Sequence, residues 1–284
     1  MTRIVLDGLV FGEGPRWHND RLWFSDMHDQ IVYAFDPVNG AAEKICVVPN
    51  DPSGLGWTPE GDLLVVSMRD RTLLRLAGSR AGAELTTVAD LSAFAIYHCN
   101  DLVVDHEGRA YVGSFGYDLH GGGQFAKASV VIVDPDSTVH RGADNLSFPN
   151  GMVITPDGGT LIVAESAARR LTAFDRHADG SLSNRRVWAP LAPHVPDGIC
   201  LDAHGAVWIA DPVGGGCHRI VEGGEVVHTI DNPGRGTFAC ALGGPDGRTL
   251  FMCTADIGGP VDWIAKRSAR IEAVTVSIPG VGWD

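Results

Sequence analysis

The chain has 284 residues, 44% hydrophobic and 20% charged, with 22 Lys and Arg against 35 Asp and Glu and a formal charge of −13. A surface this acidic repels phosphate backbones and anionic lipid, which excludes nucleic acid and membrane surfaces as partners and leaves cations as favourable ones. No apolar run reaches the roughly 18 residues of a membrane helix, and the opening MTRIVLDGLVFGEGP lacks a basic stretch followed by a long apolar one, so a cytoplasmic protein is expected.

The first element, TRIVL, reads as a strand. Six copies of one template then follow: a small or polar residue, an apolar run, a turn rich in Gly, Asp and Asn, and a second apolar run. In order they are FGEGPRWHNDRLWFSD, PSGLGWTPEGDLLVVSM, CNDLVVDHEGRAYVGSF, PNGMVITPDGGTLIVAES, PDGICLDAHGAVWIADP and FACALGGPDGRTLFMCTA. They recur at about 40–50 residues, the period of a four-stranded propeller blade and not of helical-pair or leucine-rich repeats. Within the fourth copy, RRLTAFD and RRVWAPL supply two further strands after the hairpin, with HADGSL as the turn between them. SAFAIYH and VDWIAKR are the only helix candidates, and both are short. The last element, ARIEAVTVSI, is strand-like and pairs with TRIVL to close the ring without an open edge. An all-β sandwich would explain the short strands but not six copies of one template. The expected fold is therefore an all-β, six-bladed β-propeller with four-stranded blades, a single domain over residues 1–284. Its six cysteines contain no C-x-x-C pair, and most sit in apolar runs as reduced thiols.

In a propeller the first strand of each blade lines the axis, so equivalent residues meet in a ring at one channel mouth. Here that ring is Glu13, Ser53, Asn100, Asn150, Asp197 and Ala239. Two carboxylates and two amides converge with no Lys or Arg among them. That arrangement calls for one divalent cation, with Ca²⁺, Mg²⁺, Mn²⁺, Zn²⁺ and Fe²⁺ all compatible with the donors. The bland alternative makes each of these a strand-start residue bonded to local backbone. A second ring ends the second strands at Ser25, Ser67, Ser114, Glu165, Asp211 and Thr254. Of these Glu165, Asp211 and Ser114 are expected behind the metal ligands as supporting partners. His28, His98, Phe115, Tyr117 and Asp118 are expected to contact substrate, and the mouth loops at Met27–His28, Met68, Phe115–Tyr117 and His120–Lys127 to shape the pocket, their apolar content suiting a substrate less polar than a free sugar.

With F-G-E-G-P at Phe11–Pro15, N-D at Asn100–Asp101, P-N-G at Pro149–Gly151 and P-D-G at Pro196–Gly198, the chain resembles the gluconolactonase, regucalcin and luciferin-regenerating-enzyme family over nearly its whole length. The resemblance implies a six-bladed propeller that holds a divalent metal and hydrolyses lactones. It implies Glu13, Asn150 and Asp197 as metal ligands, Asn100 as a further ligand or substrate contact, and Asp197 as general base. Two positions depart from the sugar-lactone branch. His98 stands where that branch usually has Arg, and the Gly-rich stretch GYDLHGGGQFAKA offers Asp118 as its only acid. Both bear on substrate grip rather than on the metal.

The expected activity is ring opening of a small lactone by metal-activated water, in a monomer or small homo-oligomer. Asp197 and Asn100 are the catalytic candidates. A phosphotriesterase-like or aryl-esterase propeller would use the same parts, and a metal-binding sensor or interaction propeller would use them without turnover.

Overall fold

In the computed structural model, which describes residues 2–282, the chain forms six four-stranded antiparallel sheets arranged as blades. The first blade runs outward through Gly12–His18, Arg21–Asp26, Ile31–Phe35 and Ala42–Val47. Blades two to five repeat that order, with innermost strands Pro52–Trp57, Cys99–Val104, Pro149–Ile154 and Ile199–Leu201. The sixth blade begins at Arg235–Gly243, continues through Thr249–Asp256 and Ala269–Thr275, and takes its outermost strand from the N-terminus, Arg3–Leu9. Residues far apart in sequence, Arg3 and Ala273, are thus paired, and the ring closes as the two strand-like termini require.

Six hydrophobic clusters hold the blades, most of them drawing side chains from two neighbours. Leu55, Val65 and Leu63 of the second blade pack with Trp23 and Val32 of the first, for example. Of the helix candidates, VDWIAKR becomes a helix at Pro260–Lys266, with proline in its first turn and Arg267 closing it in the left-handed region. SAFAIYH does not: Asp90 accepts the Ser92 N–H and the segment stays a run of turns. Cys46, Cys99, Cys200, Cys217, Cys240 and Cys253 are all free. Among the described residues no helix is long and apolar enough to cross a membrane.

Candidate active site at the channel mouth

The innermost strands are irregular where they meet the axis. The ladder slips between Glu13 and Arg16, between Pro52 and Leu55, between Cys99 and Leu102, between Pro149 and Met152, and between Thr237 and Ala239. A bulge at the same place in five blades re-aims the side chain beside it, a device common at sheet ends next to active sites. Asp197 lies two residues ahead of the short strand Ile199–Leu201, its N–H donating to the Ala210 carbonyl. Between blades four and five the backbones nearly touch. A Cβ on Gly151 would lie 2.5 Å from the Ile199 nitrogen and 2.8 Å from the Asp197 carbonyl oxygen. Glycine after Asn150 therefore serves close blade packing, not the local turn that an Asn-Gly pair suggests in sequence.

Glu13, Asn100, Asn150 and Asp197 all line one pocket of about 470 Å³ at this mouth. Ser53 is buried behind them, its hydroxyl 3.4 Å from Asn100 Oδ1, and Ala239 is buried in the apolar core. The Asn150 amide donates to Ser166 Oγ at 3.3 Å, and Ser166 in turn donates to the Pro196 carbonyl at 2.7 Å, tying blade four to the segment carrying Asp197. The Arg16 charge is felt by Glu13, but its guanidinium is committed to Asp101 at 2.8 Å and to the Leu102 carbonyl at 2.6 Å; Arg169 is the arginine on the pocket wall. Burial pushes the Asp197 carboxyl up to about 8, the Asp101 and Asp211 charges adding to it against a hydrogen bond from Asn150. Burial likewise raises Glu13 well above the carboxylate range, with the Asp197 and Asp101 charges acting in the same sense.

Of the expected substrate contacts, Asn100, His28, Phe115 and Tyr117 line the pocket. His98 and Asp118 are not among its walls. His98 stacks on Tyr97 at 4.0 Å between centroids, and Asp118 accepts the Gly121 N–H at 2.7 Å, bracing its own loop. The second ring is buried and works through hydrogen bonds. Glu165 accepts from the Ser147 N–H and Thr172 and pairs with Arg170 and Arg185. Ser114 Oγ lies 3.4 Å from the Ser129 carbonyl, and Asp211 faces His194 and His218.

His120, at the head of the His120–Lys127 stretch expected to shape the pocket, is on its wall, whereas Phe11, Phe148, Phe238, Trp263 and Arg169 were not expected there from sequence. Two of the aromatics stand two residues before a ring position, Phe11 before Glu13 and Phe148 before Asn150, as does the pocket residue Val195 before Asp197. That offset was a readable signal. Trp263 had none, because it comes from the single α-helix among the described residues, packing tilted against Phe11 with ring centroids 4.2 Å apart and donating its Nε1–H to the Asp256 carbonyl.

Comparison with known proteins agrees with this architecture. The family profile described as SMP-30/Gluconolactonase/LRE-like region matches residues 11–256. A pentonolactonase of Haloferax volcanii is 31% identical over 268 residues, covering 92% of this chain and 87% of that protein. A luciferin-regenerating enzyme superposes with a TM-score of 0.83 at 20% identity, over 99% of this chain and 97% of that one. A calcium-binding protein, regucalcin, from Agrobacterium tumefaciens superposes with a TM-score of 0.81 at 20% identity, over 99% and 95% of the two chains.

Proposed function

The chain belongs to the SMP-30/Gluconolactonase/LRE-like family, and from that premise we propose that it is a lactone hydrolase using one divalent cation held by Glu13, Asn150 and Asp197. The observation that carries this reading is the meeting of two carboxyls, Glu13 and Asp197, with the Asn100 and Asn150 amides on the wall of one pocket, both carboxyls being raised by desolvation and by acidic neighbours. Such a pair is costly to ionise without a counter-charge, and its oxygen donors together with the Asn150 amide suit a hard or borderline divalent ion. A neighbouring structure described as a calcium-binding protein makes Ca²⁺ the first ion to test. When bound, the cation supplies a Lewis-acidic centre for the lactone carbonyl and for water.

The rest of the chemistry falls to the chain. Asp197 receives a proton from the attacking water and returns it to the ring oxygen as the C–O bond breaks, so the product is the open hydroxy acid. Asn100 faces the same pocket and orients the substrate by its amide. Phe11, Phe115, Phe148, Phe238 and Trp263 make the walls apolar, which excludes water and favours a lactone with an apolar substituent over a bare sugar ring. The test is acid release from a panel of lactones, aryl esters and phosphotriesters by chelator-stripped protein with each metal restored separately. Turnover of lactones should return with the metal, and Asp197→Asn should lower it by roughly 10²–10⁴-fold. Lactone turnover unaffected by chelation, or retained in Asp197→Asn, would refute the reading.

A further inference from the structure

Behind the wall that carries Asp197 lies a second cluster that the proposed hydrolysis does not use. Asp211 ends the second strand of blade five, His218 lies on the third strand, and His194 sits in the segment leading to Asp197. We infer that His194, Asp211 and His218 form a separate cation site, selective for a transition metal of the Zn²⁺ class over an alkaline-earth ion.

The three ligand atoms lie within 4.8 Å of one another. Asp211 Oδ2 is 3.1 Å from His194 Nδ1 and 3.6 Å from His218 Nε2. A tetrahedral ion with bonds of about 2.0–2.2 Å has donor-to-donor edges of about 3.3 Å, so the two distances bracket the requirement. Asp211 Oδ1 is already taken by the Val213 and Gly214 N–H groups at 3.0 and 2.8 Å, which fixes the carboxylate and leaves Oδ2 facing both imidazoles.

His218 supplies the independent observation. Its side chain is 7% exposed, and Nε2 is buried with no hydrogen-bond partner. Nδ1 stands 3.2 Å from Thr229 Oγ1. A proton donated there leaves Nε2 with a bare lone pair aimed at a carboxylate oxygen, an arrangement that a cation between them resolves. The two rings stand 3.9 Å apart between centroids, closer than the roughly 5 Å of two imidazoles on one tetrahedral ion. Binding therefore requires His194 to swing outward. His194 is 26% exposed and lies outside the strands, so an outward rotation of its ring about the Asp211 contact disturbs no strand and would open the fourth position to water. Two nitrogens and one oxygen suit Zn²⁺, Co²⁺, Ni²⁺ or Fe²⁺, whereas Ca²⁺ and Mg²⁺ take oxygen donors.

The experiment uses the whole chain, stripped with chelator and then held in excess Ca²⁺ so that oxygen-donor sites are filled. Co²⁺ is titrated by visible absorption and displaced with Zn²⁺. One equivalent of Co²⁺ with the intense bands of a tetrahedral site is expected, unmoved by Ca²⁺ and unchanged in Asp197→Asn. His194→Ala removes a ligand from outside the strands without touching the core and should weaken Co²⁺ at least about tenfold, and Thr229→Val should weaken it by a similar factor through the His218 tautomer. Absence of Co²⁺ binding in excess Ca²⁺, affinity unmoved by His194→Ala, or loss of the signal in Asp197→Asn would each overturn the assignment.

Discussion

At one end of the channel stand Glu13, Asn100, Asn150 and Asp197, on the innermost strands or just ahead of them; at the other end those strands carry Trp17, Trp57, Val104, Ile154 and Leu201 at or next to their last residue. The far end encloses a smaller cavity of about 110 Å³, with Gly280 and Val281 of the C-terminal segment among its walls and Arg16 the only charged one among the described residues. A bridge between Asp202 and Gly280 and the Ala203 N–H donated to the Pro279 carbonyl hold that segment in place. One strand thus carries reactivity at its start and stability at its finish, about five residues apart. The sharpest way to break this division is to compare Asp197→Asn with Leu55→Ala, the latter fully buried at the apolar end. Leu55→Ala should cost about 2–5 kcal/mol in denaturant unfolding with kcat unchanged. Asp197→Asn should abolish most turnover while leaving the metal-free protein at least as stable, because it removes a carboxyl whose charged form is disfavoured by desolvation and by the neighbouring Asp101 and Asp211.

The same division predicts an unusual pH dependence. A carboxyl raised in the folded state binds its proton more tightly folded than unfolded, so its contribution to stability is complete below its unfolded pKa and is lost as pH rises through the folded one. For Asp197 that window runs from 3.8 to about 8. Thermal melts of chelated protein should therefore fall between about pH 5 and pH 8, and a saturating divalent cation should flatten the fall. In Asp197→Asn the slope should shrink without metal. A slope that Leu55→Ala altered and Asp197→Asn did not would place the pH response at the wrong end of the channel.

How much of this was legible in sequence follows from the same geometry. The six copies of the template placed the blades and brought Glu13, Asn100, Asn150 and Asp197 to one mouth because equivalent positions of a closed propeller converge, although Ser53 and Ala239 stay off the pocket wall. The reach of individual side chains was not legible. His98 occupies the offset that puts Phe11 and Phe148 in the pocket, yet it stacks on Tyr97 outside its walls. Trp263 belongs to no repeat. Glu165 shares its register with Asp211, but two arginines engage it on blade four while two histidines face Asp211 on blade five. Partners of that kind are contributed by outer strands and loops that do not repeat, so no period announces them.

A smaller effect separates two glycines. At Gly151 an added Cβ meets backbone of the neighbouring blade, which cannot yield; at Gly56, near the apolar end, it meets the side chains Val104 and Leu102 at 2.5 and 2.8 Å, which can rotate. Gly151→Ala should cost about 1–3 kcal/mol by overpacking and, by displacing Asp197, should lower turnover as well. Gly56→Ala should cost less and leave kcat alone. Melting curves alongside lactone kinetics read both quantities, and equal losses of turnover in the two variants would remove the special standing of the polar mouth.

The smallest expected effect bears on what the mouth recognises. Trp263 is 6% exposed, lies tilted against Phe11 and takes a T-shaped contact with Phe238 at 5.7 Å, so it forms apolar wall rather than catalytic apparatus. Trp263→Ala should raise KM for a lactone with an apolar substituent roughly tenfold, by loss of buried contact, with kcat nearly unchanged. For a bare sugar lactone, which has little apolar surface to bury there, KM should hardly move. Trp17→Ala at the other end should change neither. If Trp263→Ala instead lowered kcat for both substrates alike, the aromatic wall would be acting by holding Phe11 and the Glu13 strand in place, and the inference of an apolar substrate would fall while that of the acidic mouth stood.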